Sequence, residues 1–125
     1  MTHLSDIGEF GLIDRLVARL SEPSNALKPI VGIGDDAAVV RCDGLLLMAT
    51  DMLVEGRHFR LEAIDAADLA YKALASSVSD IAAMGGVPSH VLLSIAVPDR
   101  VNLPWLDRFT EGLAEACSAF GVAVV

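Results

Sequence analysis

The stretch DAADLAYKALASSVSDIAAMGG, residues 65–86, predicts a long helix with one apolar side. Asp65 is suited to capping its first turn, and the pair Gly85-Gly86, followed by Pro88, ends it. The apolar side is formed by Leu69, Ala73, Leu74, Val78, Ile81 and Met84. The opposite side carries polar residues spaced by four, which are Asp68, Lys72, Ser76 and Asp80.

The segments after this helix predict a strand, a helix and a second strand. Residues 90–97 are almost continuously apolar, which is typical of a strand buried on both faces, and Pro98 ends the run. A second helix follows from the apolar spacing between Leu106 and Phe120, and it stops at Gly121. Residues 122–125 are again strand-like, and no turn residue follows them, so we expect the chain to be a fragment of a longer protein.

The segments before the long helix predict a short helix and a hairpin. Apolar spacing indicates a helix between Gly8 and Leu20. Residues 30–40 and 45–54 are rich in β-forming side chains and are joined around Asp43-Gly44, so they predict two antiparallel strands. The element order favours an α+β fold in which helices pack on one face of a largely antiparallel sheet. A doubly wound parallel sheet is the alternative.

Composition limits the classes of function. The 125 residues are sufficient for one domain, and they carry a formal net charge of −8, which argues against nucleic acid or an anionic membrane surface as the main partner. There is no long apolar run and no basic leader at the N-terminus, so we expect a cytoplasmic protein. The hydrophobic fraction of 54% suggests surface that a second copy or a further domain covers. Cys42 and Cys117 are predicted to be reduced, buried thiols.

Acidic residues in three apolar settings are candidate metal ligands. Asp35 and Asp36 follow two glycines in the stretch GIGDDAA, residues 32–38. Adjacent carboxylates repel each other, and a divalent cation would neutralise them. The alternative is a glycine-rich turn with two solvated carboxylates.

Two further segments supply oxygen ligands. Thr50 and Asp51 end the apolar run of the second predicted strand, where a carboxylate is disfavoured. Asp80 lies near the C-terminus of the long helix, where the helix dipole makes a carboxylate unfavourable. Each of these residues has an alternative interpretation as a turn residue or a solvated surface residue.

A small basic cluster could meet an anion. The stretch EGRHFR, residues 55–60, contains Arg57, His58 and Arg60, whereas His3 and His90 are interpreted as surface residues. A metal site beside an anion site is the combination that phosphoryl transfer requires. No residue is an obvious nucleophile, so we identify no catalytic residue and expect direct in-line transfer.

Four ordered motifs together resemble the thiamine-monophosphate kinases. They are GIGDDAA (32–38), TDMLVEGRHF (50–59), DLAYKALA (68–75) and SDIAAMG (79–85). The likeness implies ATP as co-substrate, Mg²⁺ as cofactor and thiamine monophosphate as acceptor. It also implies that Asp36, Thr50, Asp51 and Asp80 bind metal, that His58 contacts the thiamine phosphate, and that Asp35 lies beside the ligand Asp36. This chain has Ala49 where the family usually has Ser, so any ligation through that hydroxyl is lost.

The resemblance also implies a domain organisation. Residues 1–125 would be an N-terminal ATP- and Mg²⁺-binding domain that pairs with a second copy into a barrel-like homodimer. A C-terminal domain, and a Gly-Gly-Asp motif directly after Val125, would lie outside this chain. The alternatives are a sister ATP-dependent synthetase or, for the isolated piece, a dimerisation and nucleotide-binding module. A selenophosphate synthetase is disfavoured because the chain lacks a reactive Cys and Lys near its N-terminus.

Overall fold

The computed structural model of the chain describes residues 4–20, 23–24 and 26–125. In these residues three helices and two short strands follow one another in the order α1, α2, β1, α3, β2. Their bounds are Leu4–Val17 for α1, Ala66–Ala83 for α2, His90–Val91 for β1, Leu103–Phe120 for α3 and Ala123–Val124 for β2.

Helix α2 is formed as the sequence predicts. The Asp65 carboxylate accepts a hydrogen bond of 2.9 Å from the backbone N–H of Ala67, which satisfies a donor that the first turn leaves free. The helix ends at Ala83, and Gly85 follows with φ of 74°, a backbone conformation that favours glycine. Its apolar side supplies much of the core through Leu69, Ala70 and Leu74.

Helix α3 begins earlier than the apolar spacing indicates. The Asn102 side chain caps it by accepting a hydrogen bond of 2.9 Å from Trp105 N–H, and Pro104 occupies the first turn, where no N–H is needed. The helix ends at Gly121 as predicted, with φ of 65°. The stretch Asn102-Leu103-Pro104 is therefore a local start signal that the prediction did not use.

Helices α2 and α3 pack directly on each other. A Cβ placed on Gly112 of α3 would lie 2.3 Å from Ala67 Cα and 2.5 Å from Ala67 O, so the two backbones approach closely at this crossing. Around it Phe109, Leu113 and Ala116 pack with the apolar residues of α2. This contact forms the main core of the domain.

Helix α1 attaches to the start of α3. Leu16 packs with Leu103 and Leu106 in a second, smaller core cluster. At its edge the Arg15 guanidinium donates two hydrogen bonds to Asp107, of 2.6 and 2.7 Å, and Arg19 approaches the same carboxylate at 3.0 Å. These hydrogen bonds from Arg15 lower the pKa of the Asp107 carboxyl, although desolvation opposes them. Within α1 the backbone departs from helical geometry at Gly8, whose φ is 64°.

The observed strand pairing differs from the predicted antiparallel topology. The paired strands β1 and β2 are parallel, with His90 opposite Ala123 and Val91 opposite Val124. The physical reason is connectivity, because α3 carries the chain back across the domain before β2 begins, so both strands run in the same direction. The helical and sheet layers of an α+β fold are present, but in the part of the chain that the structure describes the sheet has two strands only.

The predicted hairpin over residues 30–54 does not form as a ladder. One antiparallel bridge joins Val31 to Val39, and residues 41–52 are all exposed. Leu45 is fully exposed and Met48 is 86% exposed, so these apolar side chains have no cover within the chain. Strand propensity alone cannot form a ladder without a partner that buries one face.

Within the single chain, residues 90–97 are covered on one face only. Alternate residues Val91, Leu93 and Ile95 pack against the core, while Leu92 between them is 77% exposed. Burial of the second face, which needs a second copy or a further domain, stays a prediction. The prediction of two buried thiols is wrong in part, because Cys42 is exposed. Cys117 is partly buried, and burial raises the pKa of its thiol. No helix in the described residues is long and apolar enough to cross a membrane.

Candidate functional site

The Gly32–Ala38 stretch forms an exposed loop closed at its base. Val39 N–H donates to Val31 O at 2.7 Å, and Ile30 N–H donates to Val39 O at 2.7 Å. Gly34 at the tip has φ of 113°, which strains any residue with a side chain. Asp35 accepts a hydrogen bond of 2.9 Å from Asp36 N–H, and both carboxylates face solvent. The loop therefore presents Asp36 with its carboxylate free of protein partners in the described part of the chain.

Thr50 and Asp51 line a cleft between residues 50–61, residues 91–98 and the two long helices. This cleft has a volume of about 470 Å³. Most of its lining is apolar, and Glu55, Ser77 and Ser94 add polar groups to those of Thr50 and Asp51. An apolar cleft with few polar groups is the usual form of a small-molecule site.

Asp80 is exposed on α2, near the helix end, and is not among the residues that line this cleft. No basic residue lies in the last turn of the helix to offset its charge. Among the described residues, neither Asp36, Asp51 nor Asp80 forms an ion pair, so none is neutralised by a protein cation.

These carboxylates suit a divalent cation in their chemistry but are not gathered at one point. Hard oxygen donors without protein counter-ions are the ligands that Mg²⁺ prefers. However, the described residues contain no group of three or more His, Cys, Asp or Glu side chains that could hold a metal ion. Within the described residues, the predicted ligands thus lie on three separate segments and do not form a closed metal site.

His58 lies in a tight turn that backbone hydrogen bonds hold together. Val54 O accepts from Arg57 N–H at 3.1 Å and from His58 N–H at 2.9 Å, and Gly56 N–H donates to Phe59 O at 2.8 Å. The ring takes part in this turn, because His58 Nδ1 accepts the N–H of Val54 at 3.0 Å. The imidazole is exposed. We call residues 54–59 the His58 turn.

The contacts of two residues, Lys72 and His90, escaped the sequence-based prediction. Lys72 Nζ donates to the His58 carbonyl at 2.8 Å, which connects α2 to the His58 turn. His90, expected to be a surface residue, is partly buried, with Nδ1 3.0 Å from Ser89 Oγ and Nε2 3.2 Å from Leu27 O. The position of Lys72 on the polar side of α2 was visible in the sequence, whereas its partner was not.

A comparison with known protein families shows which family the chain belongs to. Residues 34–125 match the model of the AIR synthase related protein, N-terminal domain. The chain belongs to this family. The matched range includes the Asp36 loop, the cleft residues, the His58 turn and both long helices, so the family assignment covers nearly every element described above.

Within the family, individual relatives share a common name. The chain is 42% identical over 120 residues to the thiamine-monophosphate kinase of Escherichia coli (strain K12), covering 94% of this chain and 36% of that protein. It is 46% identical over 108 residues to the thiamine-monophosphate kinase of Salmonella typhimurium (strain LT2), covering 85% of this chain and 32% of that protein. The chain thus spans about a third of the length of these relatives.

A solved structure has the same fold. The crystal structure of thiamine-monophosphate kinase from Stenotrophomonas maltophilia K279a superposes with a TM-score of 0.73 at 34% sequence identity. The match covers 95% of this chain and 37% of that chain. The likeness therefore concerns one region of a longer protein.

Proposed function

We propose that the full-length protein containing this chain phosphorylates thiamine monophosphate with ATP, yielding thiamine diphosphate and ADP. The observation that supports it best is the identity of 42% to a thiamine-monophosphate kinase over almost the whole chain. The four ordered motifs fall within that match. The region of residues 1–125 would serve as the N-terminal ATP- and Mg²⁺-binding domain of a cytoplasmic enzyme.

The chain would supply oxygen ligands for the cation. Asp36, Thr50, Asp51 and Asp80 are the residues that would hold Mg²⁺, and the bound cation would neutralise charge on the ATP phosphates. Asp36, Asp51 and Asp80 are exposed and form no ion pair within the part of the chain that the structure describes. This supports the proposal, since ligands already paired with Arg or Lys would have to be released first.

The acceptor would be oriented by His58 and by the cleft. In an in-line transfer, a phosphate oxygen of thiamine monophosphate forms a bond to the γ-phosphorus of ATP while the bond to the ADP oxygen breaks. His58 would donate a hydrogen bond to the thiamine phosphate, and the exposed imidazole is accessible for this contact. No protein nucleophile is required, so positioning and charge neutralisation supply the rate enhancement.

A homodimer is part of the same proposal. The uncovered side of residues 91–97, with Leu92 at 77% exposure, and the exposed apolar residues 45–48 offer a surface that a second copy could cover. We propose that two N-terminal domains pair through this surface into the barrel-like arrangement that the resemblance implies.

A coupled assay on the full-length protein tests the activity. Formation of thiamine diphosphate and ADP from thiamine monophosphate and ATP is expected only when a divalent cation is present. Chelation followed by Mg²⁺ addition should abolish and then restore turnover. Turnover of an aminoimidazole precursor or of selenide, with none of thiamine monophosphate, would instead assign the protein to a sister synthetase.

A further inference from the structure

The starting point is the chemical state of His58. A backbone N–H can donate only to a nitrogen that has a free lone pair, so the bond from Val54 N–H at 3.0 Å requires Nδ1 to be unprotonated. In the neutral ring the proton must then be on Nε2. The His58 turn therefore uses one ring nitrogen for its own closure and leaves Nε2–H as the only donor of the imidazole.

The second observation is the use of the Lys72 ammonium. Lys72 lies in the middle of α2, and its ammonium donates to the His58 carbonyl at 2.8 Å, fourteen residues away in sequence. It forms no ion pair with a carboxylate among the described residues. A charged donor on a neutral carbonyl is stronger than an ordinary backbone hydrogen bond.

The third observation is what else holds this turn. Phe59 packs against the main core, and Glu55 forms an ion pair with Arg100. Neither of these contacts acts on His58 itself. Lys72 bonds to the same residue whose ring closes the turn, and α2 is a rigid support because Leu69, Ala70 and Leu74 are buried in the core.

We propose that Lys72 is a positioning residue that holds the His58 turn on α2, so that Nε2–H of His58 points outward as a fixed donor for an oxyanion. The part that concerns the thiamine phosphate rests on the proposed function. Asp80 is eight residues beyond Lys72 on the same helix, about 12 Å along its axis at 1.5 Å per residue. Helix α2 thereby carries a candidate cation ligand, Asp80, and also Lys72, which supports the residue proposed to donate a hydrogen bond to the thiamine phosphate.

Substitution of Lys72 in the full-length protein tests the positioning role by kinetics. Lys72→Met keeps the aliphatic stem and removes the donor, and it should raise KM for thiamine monophosphate about three- to tenfold, because the turn keeps its other contacts. KM for ATP should stay unchanged. Lys72→Arg, which keeps a cationic donor, should restore KM to near the wild-type value, and Lys28→Met is the matched control on an exposed lysine outside the turn. An unchanged KM for thiamine monophosphate in Lys72→Met would overturn the proposal.

Nitrogen NMR of the histidine-labelled protein provides a readout that needs no substrate. At about pH 8.5, where free imidazoles are neutral, the His58 signals should show the Nε2–H tautomer. The signals are assigned by their loss in His58→Gln. Lys72→Met should convert them to a mixture of tautomers, and Lys72→Arg should not. A wild-type ring protonated on Nδ1, or a tautomer unaffected by Lys72→Met, would contradict the positioning role.

The two measurements separate this proposal from the proposed function. If the protein does not phosphorylate thiamine monophosphate, the proposed function fails, while the NMR result still confirms or overturns the role of Lys72. If Lys72→Met does not fold, Lys72→Gln, which keeps a neutral donor on a shorter stem, takes its place in both measurements. An intermediate loss of the Nε2–H tautomer is then expected, and no loss would overturn the proposal.

Discussion

At the scale of single residues, the informative side chains are those whose position conflicts with local energetics. Asp80 is a carboxylate near the negative end of α2, with no basic residue in the last turn and no ion pair among the described residues. Such a residue lowers stability slightly where it lies. A functional role is the simplest reason for a local rule to be broken.

Asp80→Asn in the full-length protein should separate activity from stability. Loss of a cation ligand is expected to lower kcat/KM roughly a hundredfold, the order found when one electrostatic stabiliser of a transition state is removed. Unfolding free energy should stay the same or rise by up to about 1 kcal/mol, since a charge at the wrong end of the helix dipole is removed. The coupled assay and denaturant unfolding measure the two effects.

Asp68→Asn is the matched control, because Asp68 is also an exposed aspartate of α2 but lies in its first turn. There a carboxylate is favourable, so this change should lower stability by a few tenths of a kcal/mol and leave activity unaltered. Normal turnover of Asp80→Asn at limiting Mg²⁺ would show that Asp80 is a solvated surface residue and not a cation ligand.

At the scale of elements, the docking of α1 combines a small apolar cluster with one carboxylate that two arginines share. Asp107 accepts from Arg15 and lies close to Arg19, and the Arg15 hydrogen bonds lower its pKa. A lowered folded pKa means that the stabilisation is present above the ordinary Asp pKa of about 3.9 and is lost as pH falls through the folded value. We therefore expect the α1–α3 contact to weaken in acid.

Asp107→Asn should lower the melting temperature at neutral pH by removing the charged acceptor of both arginines. The difference from wild type should shrink as pH falls below the ordinary Asp pKa, because the wild-type carboxyl then becomes protonated too. Glu111→Gln, which removes the exposed partner of Arg108 at 3.5 Å, is the control and should have little effect. A melting difference that is constant from neutral to acid pH would rule out this linkage.

The α2–α3 crossing makes a second element-scale prediction. Gly→Ala in a helix normally stabilises it by up to about 1 kcal/mol, but a Cβ on Gly112 would lie 2.3 Å from the Ala67 Cα. Gly112→Ala should therefore destabilise the domain by about 3 kcal/mol through overpacking against backbone that cannot move aside. Denaturant midpoints check the sign.

Ser118→Ala, on an exposed position of the same helix, tests propensity without a clash and should be neutral or slightly stabilising. If Gly112→Ala stabilised the protein as much as Ser118→Ala does, this result would contradict the close packing of α2 and α3 at Gly112.

At the scale of the whole molecule, the domain leaves one apolar side without cover. Leu45, Met48 and Leu92 are each at least 77% exposed, and the helices pack against only the opposite side of the segment that contains Leu92. The chain also spans about a third of the relatives it resembles. We expect association through this surface to be separable from catalysis, which needs donor, cation and acceptor in one fixed geometry.

The 125-residue chain on its own should form a dimer but show no thiamine-monophosphate kinase activity. Light scattering and a single-turnover assay with ATP and thiamine monophosphate measure the two properties. Leu92→Glu should yield a monomer with unchanged helix content, because Leu92 is 77% exposed and its charge would be buried only in the dimer. A wild-type monomer across the micromolar range would refute the interface, and product formation would show that this region suffices for the chemistry.

The sequence by itself determined the helices and the order of the motifs. Caps and stops act within a few residues, so Asp65, Gly85 and Gly121 specify helix ends wherever the rest of the chain lies. The motif residues likewise led to the family that the comparison with known proteins confirmed. Helix α3 shows the limit of apolar spacing, because its start at Leu103 is set by a cap that this spacing does not register.

Only the tertiary structure decided the direction of strand pairing, the uncovered face and the partner of Lys72. Each depends on groups far apart in sequence: β1 and β2 are joined through α3, and Lys72 meets His58 across fourteen residues. Local β-propensity does not specify the direction in which a strand will pair, and it carries no information on which face a distant helix will cover. Long-range packing supplies that information, and it exists only once the chain is folded.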